Sequence, residues 1–349
     1  MDHPSASAAR RASMDLPSQG IVLTRTPLRV SFAGGGTDIA AFYEHDRGAV
    51  LSTSIDKYVY VTVKRHGPVF DERIRLNYSV SESVGEIDAI RNDIVRECLL
   101  LLRVEPPIYV SVVSDLPDSS GLGGSSAFAV GLLHALHTFR GEAVSPEQLA
   151  EEASHVEIEM LGQPIGKQDQ YAAALGGMNL LEFRADGRVG VSAVNGSRAA
   201  IDGLFERLLM VWTGHQRRSS SVLFEQRDRT PDHRAQLRAM RDQAYALETL
   251  MNDPEPDYRR FGETLMEGWQ LKRGLASSVS SEEIDAWYAA AIAAGAVGGK
   301  LCGAGSGGFL IFLAEGEAQE RVQAALPSLR AVPVGYEPRG SRVLLAQLD

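Results

Sequence analysis

The chain has 349 residues, of which 44% are hydrophobic, and it carries a formal net charge of −10 at neutral pH. This length is too great for one ordinary compact core, so we expect two domains. The acidic balance argues against a nucleic-acid surface, and no apolar run is long enough to span a bilayer, so neither nucleic acid nor a membrane is an expected partner.

The first segment, residues 1–19, is rich in serine and alanine and lacks the apolar stretch of a secretory signal. We interpret it as a disordered extension. The two cysteines, Cys98 and Cys302, are far apart and lack metal-ligand spacing, which fits a reducing compartment. The expected location is the cytoplasm.

Strand and helix patterns follow from residue 20 onward. The segment from Ile21 opens as a strand, and residues 58–63 alternate valines with aromatic or polar side chains, which is typical of a half-buried strand. A stripe of apolar residues from Ile87 to Cys98 predicts a helix over residues 86–104. Another amphipathic helix is predicted after a glycine turn, because apolar residues recur at helical intervals from Phe128 to Phe139.

In the next part of the chain, Ser145 and Pro146 read as the N-cap and first residue of a helix over residues 145–162. The sequence pattern changes near residue 200, where we place a boundary between domains 20–200 and 201–349. Beyond it we expect helices over residues 233–251, 258–274 and 281–294. Because strands and helices mix without a regular βαβ repeat, the predicted fold class is α+β.

Three glycine-rich turns stand out, over residues 33–38, 119–127 and 301–309. Any one alone is most simply a tight turn. The middle turn follows a strand and opens directly into the amphipathic helix. This geometry directs backbone N–H groups and the positive helix end toward one point, where a phosphate binds. Ser125 and Ser126 stand at the first helical turn, where one hydroxyl could reach a magnesium ion, or could simply cap the helix.

Other catalytic motifs fail on spacing. The two nearest matches to a Walker A loop fail in spacing and lack the final hydroxyl, and the segment GLGGSS does not meet the dinucleotide fingerprint G-x-G-x-x-G. Protein-kinase signatures and the nucleophile elbow are absent. His134 and His137 share a helix face without a third ligand, so we expect no metal site there. Glu157 and Glu159 lie about half a turn apart on a helix, so only one can face a given site. Asp169 lies in a polar cluster before an apolar helix, a setting that suits a ligand site or a helix cap.

The three turns, in this order, resemble the three motifs of the GHMP small-molecule kinases. The motif-bearing segments are TPLRVSFAGGGTD, PDSSGLGGSSA and GKLCGAGSGG. The resemblance spans nearly the whole chain from Ile21. It implies a two-domain α+β fold, with an S5-like α/β N-terminal domain and a ferredoxin-like C-terminal domain.

The resemblance also implies roles for residues. It gives Asp169 and Arg29 as catalytic, with Asp169 orienting or deprotonating the attacking hydroxyl, and Ser125 and Glu157 as ligands of Mg²⁺. The implied ATP-binding residues are Pro117, Ser120, Gly121, Leu122, Gly123, Gly124, Ser125 and Ser126. The implied substrate-binding residues are Gly35, Gly36, Thr37, Asp38, Arg217, Gly303 and Gly305.

This sequence departs from the family pattern at several positions. Gly124 replaces a serine, which removes one hydroxyl near the phosphates, and Ser119 and Ser120 replace smaller residues. Gly35 and Gly36 stand where galactokinases carry Glu-His, so galactose is not the expected acceptor.

Segments such as GKQDQYAAALGG and WQLKRGLASSVSSEEIDAWY are most similar to family members that phosphorylate a heptose 7-phosphate. The implied activity is therefore transfer of the ATP γ-phosphoryl group to the anomeric hydroxyl of D-glycero-D-manno-heptose 7-phosphate, with ATP and the sugar phosphate as small-molecule partners. An acceptor of this kind needs cations for its own phosphate, and the candidates are Lys167, Arg217, Arg218, Lys272, Arg273 and Lys300. Two alternatives are a kinase for an unphosphorylated sugar such as L-fucose, and a non-catalytic binding protein.

Overall fold

The computed structural model describes residues 20–67, 69–216 and 220–348. The extension predicted over residues 1–19 and the predicted substrate residue Arg217 lie outside these ranges. The strands are β1 (Ile21–Ala33), β2 (Gly48–Arg65), β3 (Ile74–Asn77), β4 (Ser81–Val84), β5 (Ile108–Ser114), β6 (Met178–Phe183), β7 (Val189–Ala193), β8 (Leu208–Trp212), β9 (Gly298–Leu301), β10 (Phe309–Leu313), β11 (Arg330–Ala331) and β12 (Arg342–Gln347).

The helices agree closely with the sequence pattern in the second half of the chain, where those predicted over residues 233–251, 258–274 and 281–294 are confirmed. In chain order they are α1 (Ala40–Tyr43), α2 (Asp93–Leu101), α3 (Gly124–Phe139), α4 (Pro146–Ser154), α5 (Gln168–Leu175), α6 (Arg198–Glu206), α7 (Ser220–Arg229), α8 (Arg234–Asn252), α9 (Tyr258–Arg273), α10 (Glu282–Ala293) and α11 (Glu317–Ala325). None of the helices in the described ranges combines the length and apolarity that a bilayer-spanning segment requires.

In the described part of the chain, eight strands form the first sheet, in the order β12-β1-β2-β5-β3-β4, with β6 paired to β2 and β7 to β6. The long strand β2 pairs with β6 near its start and with β5 near its end. Val59, Val61 and Val63 of β2 are buried and their neighbours are half-buried, as the alternation predicts.

Helix α3 lies directly against β1 and β2 because it carries a glycine at the contact. A Cβ at Gly131 would come within 2.7 Å of Thr26 Oγ1. The Gly131 carbonyl accepts a hydrogen bond of 2.8 Å from the Thr24 hydroxyl. This close approach fixes the middle of α3 against β1, and both elements carry candidate site residues.

The second sheet has the order β11-β8-β10-β9. Its pairs are antiparallel, and α11 connects β10 to β11. This is the β-α-β-β-α-β arrangement predicted for the C-terminal half. The phenyl rings of Phe32 in β1 and Phe261 in α9 meet edge to face, with centroids 5.1 Å apart. The apolar core is therefore continuous between the two halves of the chain.

The last strand of the described chain, β12, returns to the first sheet and pairs with β1. The two sheets therefore do not divide the sequence at a single point, and the domain boundary near residue 200 stays a prediction.

The helix predicted over residues 86–104 is shorter than expected. Residues Ile87–Ala89 form only a 3₁₀ turn, and α2 begins at Asp93. The Glu82 carboxylate accepts hydrogen bonds from the backbone N–H groups of Arg91 (2.7 Å) and Asn92 (3.1 Å). Because these bonds from outside the helix fix the preceding turn, the early part of the apolar stripe is not helical.

Candidate active site

The three glycine turns predicted from the sequence meet around one cavity of about 420 Å³. Its wall also carries Arg29 of β1, Asp169 of α5, Lys272 of α9 and Lys300 of β9. The wall residues from the three turns are Gly35, Gly36, Asp38, Ser119, Ser120, Gly121, Gly123, Gly124, Ser125, Ser126, Cys302, Gly303, Ala304, Gly305 and Gly307.

Arg29 and Asp169 form a bidentate ion pair in this cavity. The Arg29 Nε and Nη2 atoms each donate to one Asp169 carboxylate oxygen at 2.7 Å, and Nη1 donates to the Gly121 carbonyl at 2.7 Å. The arginine side chain is almost fully buried, whereas that of Asp169 is 23% exposed. The pair therefore orients the carboxylate and leaves it accessible from the cavity.

The second glycine turn touches this ion pair. Gly123 is the N-cap of α3 and has a left-handed backbone conformation, with φ of 75°. A Cβ at Gly123 would lie 3.2 Å from Arg29 Cγ and 3.4 Å from Asp169 Oδ2. Glycine is suited to this position for two reasons, its positive φ and the close neighbours. The N-terminus of α3, an anion-binding feature, thus lies beside the carboxylate of Asp169.

The hydroxyls of the first turn of α3 point to Glu157. Ser125 Oγ donates to Glu157 Oε1 at 2.7 Å, and Ser126 Oγ donates to Oε2 at 2.6 Å. Gln170 Nε2 donates to the same Oε2 at 2.6 Å. Burial raises the pKa of Glu157, and the charge of Asp169 acts in the same direction, against the lowering effect of the three hydrogen bonds.

Glu157 lies in a π-helical segment, His155–Met160, that directly follows α4. The sequence predicts one regular helix here, and we see no local signal for the wider turn. Glu157 is 2% exposed, whereas Glu159 faces solvent and contacts His155. The expectation that only one of these two glutamates faces a given site is confirmed, and the irregular helix is of a kind often found at functional sites.

The oxygens of Ser125 and Glu157 fit a magnesium ion. Magnesium prefers oxygen ligands and commonly binds through one or two protein groups together with phosphate oxygens and water. Within the described ranges, no three His, Cys, Asp or Glu side chains gather as a metal cluster. A magnesium ion at these two residues would therefore depend on a phosphate ligand for the rest of its coordination.

Asp38 of the first glycine turn is buried against Gln168. Its Oδ1 accepts from the Gly36 N–H at 2.9 Å, and its Oδ2 accepts from Gln168 Nε2 at 3.0 Å. Burial, reinforced by the charge of Asp169, raises the pKa of Asp38. The Gln168 Oε1 atom and the Ser31 hydroxyl, both in residues of the cavity wall, have no hydrogen-bond partner among the described residues. These buried polar atoms leave hydrogen-bonding capacity unused in residues of the cavity wall.

The third glycine turn packs against the second. A Cβ at Gly303 would lie 2.5 Å from Gly121 Cα, and a Cβ at Gly121 would lie 2.6 Å from the Cys302 carbonyl oxygen. The Phe309 N–H donates to the Ser120 carbonyl at 3.2 Å. The third turn therefore supports the path of the second turn as well as lining the cavity.

Two lysines from the C-terminal half enter the cavity wall. Lys300 Nζ donates to the carbonyls of Ser31 (2.8 Å) and Phe32 (3.0 Å), and Lys272 Nζ donates to the Gly303 carbonyl. Burial lowers the pKa of Lys272 to about 7 and that of Lys300 to about 8. Lysine is a common surface residue, so the sequence alone could not single them out from the other candidate cations.

Not every predicted site residue lines the cavity. Pro117 is exposed outside its wall, and Leu122 is buried in the apolar core. The Thr37 hydroxyl donates to the Gly34 carbonyl at 2.8 Å, so its side chain fixes the turn.

His137 lies between Glu142 and Glu152, at 2.8 and 2.7 Å, and these carboxylates raise its pKa. Conversely, the wall includes residues that the sequence did not suggest: Ser31, Ile39, Gln163, Ile165, Leu223, Gln226 and Met240.

Known proteins share sequence with most of this chain. The family model "GHMP kinases N terminal domain" matches residues 90–177, and "GHMP kinases C terminal" matches residues 245–330. The chain is 31% identical over 310 residues to the D-glycero-alpha-D-manno-heptose 7-phosphate kinase of Campylobacter jejuni, a match that covers 84% of this chain and 89% of the relative. It is 27% identical over 298 residues to the mevalonate kinase of Methanothermobacter thermautotrophicus, covering 83% and 91% of the two chains.

Solved structures share the fold. A D-glycero-D-manno-heptose 1-phosphate kinase from Bacteroides thetaiotaomicron superposes with a TM-score of 0.76 at 24% identity, over 93% of this chain and 99% of the other. The galactokinase of Lactococcus lactis in complex with galactose gives a TM-score of 0.72 at 16% identity, over 93% and 95%. These likenesses confirm the predicted two-domain α+β fold.

Proposed function

Because this chain belongs to the GHMP kinase family, we propose that it transfers the γ-phosphoryl group of ATP to the anomeric hydroxyl of D-glycero-D-manno-heptose 7-phosphate. The product would be the 1,7-bisphosphate. The relative named for this substrate, at 31% identity over most of both chains, supports the choice of acceptor.

The observation that carries the proposal is the contact between the second glycine turn and the ion pair. A Cβ at Gly123 would lie against Arg29 Cγ and Asp169 Oδ2, at 3.2 and 3.4 Å. A phosphoryl group bound at the N-terminus of α3 would thus lie next to the carboxylate that receives the acceptor hydroxyl. Such closeness of donor and acceptor is what phosphoryl transfer requires, since its catalysis is largely positioning and charge stabilisation.

In the proposed step, the acceptor oxygen attacks the γ-phosphorus and the bond to the bridging oxygen of ADP breaks. Asp169 orients the hydroxyl and takes its proton. Arg29 holds Asp169 in place and puts its positive charge beside the group in transfer. The backbone N–H groups at the start of α3 bind the phosphates of ATP. Ser125 and Glu157 would hold Mg²⁺, which neutralises phosphate charge when it is bound.

The test is ADP release that depends on Mg²⁺ and ATP, measured with a panel of acceptors. The panel contains D-glycero-D-manno-heptose 7-phosphate, the corresponding 1-phosphate, L-fucose, galactose and mevalonate. We expect turnover on heptose 7-phosphate far above the others, and loss of it in Asp169→Asn. Turnover on fucose alone would exclude a phosphorylated acceptor, and turnover on heptose 1-phosphate alone would move the reaction to another hydroxyl. No turnover on any acceptor would contradict the proposal and favour a binding protein.

A further inference from the structure

We propose that Lys272 and Lys300 form a phosphate subsite that binds the phosphate already carried by the acceptor, and thereby select phosphorylated sugars. The inference rests on the proposed function and deepens it, because it assigns acceptor specificity to two residues of the C-terminal half.

Both lysines are buried without an anionic partner in contact. Lys272 is 8% exposed and Lys300 is 7% exposed. In the described part of the chain no carboxylate lies within salt-bridge distance of either ammonium, and their hydrogen bonds go to backbone carbonyls. Lysine is rarely buried in this way without a counter-charge. An anionic ligand in the cavity would supply that counter-charge.

Charge balance in the cavity wall favours an anionic ligand. Arg29 and Asp169 neutralise each other, which leaves two ammonium groups against the carboxylate of Asp38. Lys300 and Lys272 are close enough that the charge of Lys300 adds to burial in lowering the pKa of Lys272. A phosphate dianion between them would remove this repulsion and favour the charged form of both lysines.

The other candidate cations of the described chain are engaged elsewhere. Arg29 uses its three guanidinium nitrogens on Asp169 and Gly121. Lys167 lies at a separate cavity, where its Nζ donates to the Gly187 carbonyl at 2.9 Å. Arg273 pairs with Asp285 away from the wall. Lys272 and Lys300 are therefore the cations in the described wall that remain available to a ligand.

The location of Lys300 favours the phosphate of the acceptor over those of ATP. Its Nζ is held by the carbonyls of Ser31 and Phe32, at the end of β1 that leads into the first glycine turn. Ser31 is buried at the same position, and its hydroxyl has no hydrogen-bond partner among the described residues. The phosphates of ATP are already provided for by the start of α3. An unpartnered hydroxyl beside a buried ammonium suits the oxygens of a second phosphate.

The experiment compares heptose 7-phosphate with unphosphorylated heptose as acceptors for the full-length enzyme. The variants are Lys272→Met and Lys300→Met, with Lys57→Met as a matched control. Lys57 also donates to a backbone carbonyl, that of Asp56, but it lies outside the cavity. We expect each cavity variant to lower the preference in kcat/KM for the phosphorylated sugar by about 10- to 100-fold, the effect of one charge-assisted hydrogen bond. The control should keep the wild-type preference, and the KM for ATP should change little in every variant.

Two results would overturn the assignment. Unchanged preference in both cavity variants would show that the lysines do not contact the acceptor phosphate. An equal loss with both acceptors, or a rise in the KM for ATP alone, would assign the lysines to loop structure or to ATP. If Lys272→Met fails to fold, Lys272→Gln provides the same test, because it removes the charge but keeps a donor for the Gly303 carbonyl.

Failure of the proposed function can be distinguished from failure of the lysine subsite, because the wild-type enzyme would then show no turnover of heptose 7-phosphate. In that case titration calorimetry with inorganic phosphate tests the subsite itself. Binding by the wild type that is lost in the Lys272→Met/Lys300→Met double variant would support an anion subsite at these lysines. Equal binding by both proteins, or none by the wild type, would overturn it.

Discussion

Arg29 and Asp169 are joined by two hydrogen bonds of equal length, 2.7 Å each, so that one side chain determines the orientation of the other. The third guanidinium nitrogen, Nη1, is bound by the Gly121 carbonyl. The planar fork of arginine is therefore fully used, and this couples strand β1, helix α5 and the second glycine turn.

We expect Arg29→Lys to lower kcat by about 10- to 100-fold while the protein stays folded, because lysine keeps the charge but cannot hold both oxygens and the carbonyl together. Steady-state ADP release and the melting temperature provide the measurements. A matched control is Arg238→Lys, since Nε and Nη2 of Arg238 each donate to one Asp46 carboxylate oxygen on the surface. Wild-type turnover in Arg29→Lys would show that the fork geometry does not matter for catalysis.

Asp169→Asn should lower kcat by about 10²- to 10⁴-fold, the usual contribution of a general base, because the amide cannot take the hydroxyl proton. The affinity for ATP should change little, since Asp169 is not part of the turn that binds phosphates. Calorimetric titration with a non-hydrolysable ATP analogue measures this second quantity. Glu159→Gln is the control, because that side chain is exposed. A strong loss of nucleotide affinity with kcat preserved would contradict the assigned role.

Gly123→Ala and Gly141→Ala separate backbone strain from loss of the site. Both glycines have φ of 75°, but a Cβ at Gly123 meets Arg29 and Asp169, whereas Gly141 has open space. Each change should cost about 1–2 kcal/mol of unfolding free energy through its left-handed backbone conformation. Only Gly123→Ala should also lower kcat/KM for ATP. An equal kcat/KM for ATP in the two variants would show that the contact between the turn and the ion pair does not affect activity.

Ser125 and Ser126 bind the same carboxylate but differ in exposure. Ser125 is exposed, whereas Ser126 is buried. We expect Ser125→Ala to raise the Mg²⁺ concentration needed for half-maximal activity, because it removes a proposed metal ligand. Ser126→Ala should mainly lower stability, by about 1 kcal/mol for a lost hydrogen bond. Activity titrated with Mg²⁺ gives the first quantity and urea denaturation the second. Full turnover of Ser125→Ala at low Mg²⁺ would exclude this metal assignment.

The stability of the protein without ligand should depend on pH through Lys272. Burial lowers the pKa of this lysine from 10.5 to about 7, so between these values the unfolded chain binds a proton that the folded chain does not. The wild type should therefore gain unfolding free energy relative to Lys272→Met as the pH rises, by about 1.4 kcal/mol per pH unit in the middle of this range. Urea denaturation of both proteins at several pH values measures the difference. A difference that stays constant with pH would show that Lys272 titrates normally.

The sequence predicts those parts of the fold that follow from local periodicity and capping. The hydroxyl of Ser145 caps α4, accepting from the Gln148 N–H at 3.1 Å as expected from the Ser-Pro pair. Strand β9, with two glycines in four residues, and the short helix α6 gave no clear pattern and were not predicted. Their formation depends on packing against distant parts of the chain, which local propensity does not describe.

The candidate site also has residues that the sequence predicts and residues that it does not. The glycine turns, Arg29 and Asp169 could be named in advance because they lie in ordered motifs that resemble a known family. The burial of Lys272 and Lys300 could not be predicted, because it results from the approach of α9 and β9 to strand β1. The π-helical turn at Glu157 could not be predicted either, since the sequence around it is compatible with a regular helix.

The pairing of β12 with β1 has a consequence for biosynthesis. These strands come from opposite ends of the described chain, so β1 leaves the ribosome long before its outer neighbour does. Until β12 arrives, one edge of β1 carries unpaired N–H and C=O groups, and an open strand edge of this kind can pair with other nascent chains. Completion of the first sheet is thus delayed until β12 has been made, and chaperone binding during synthesis would protect the open edge.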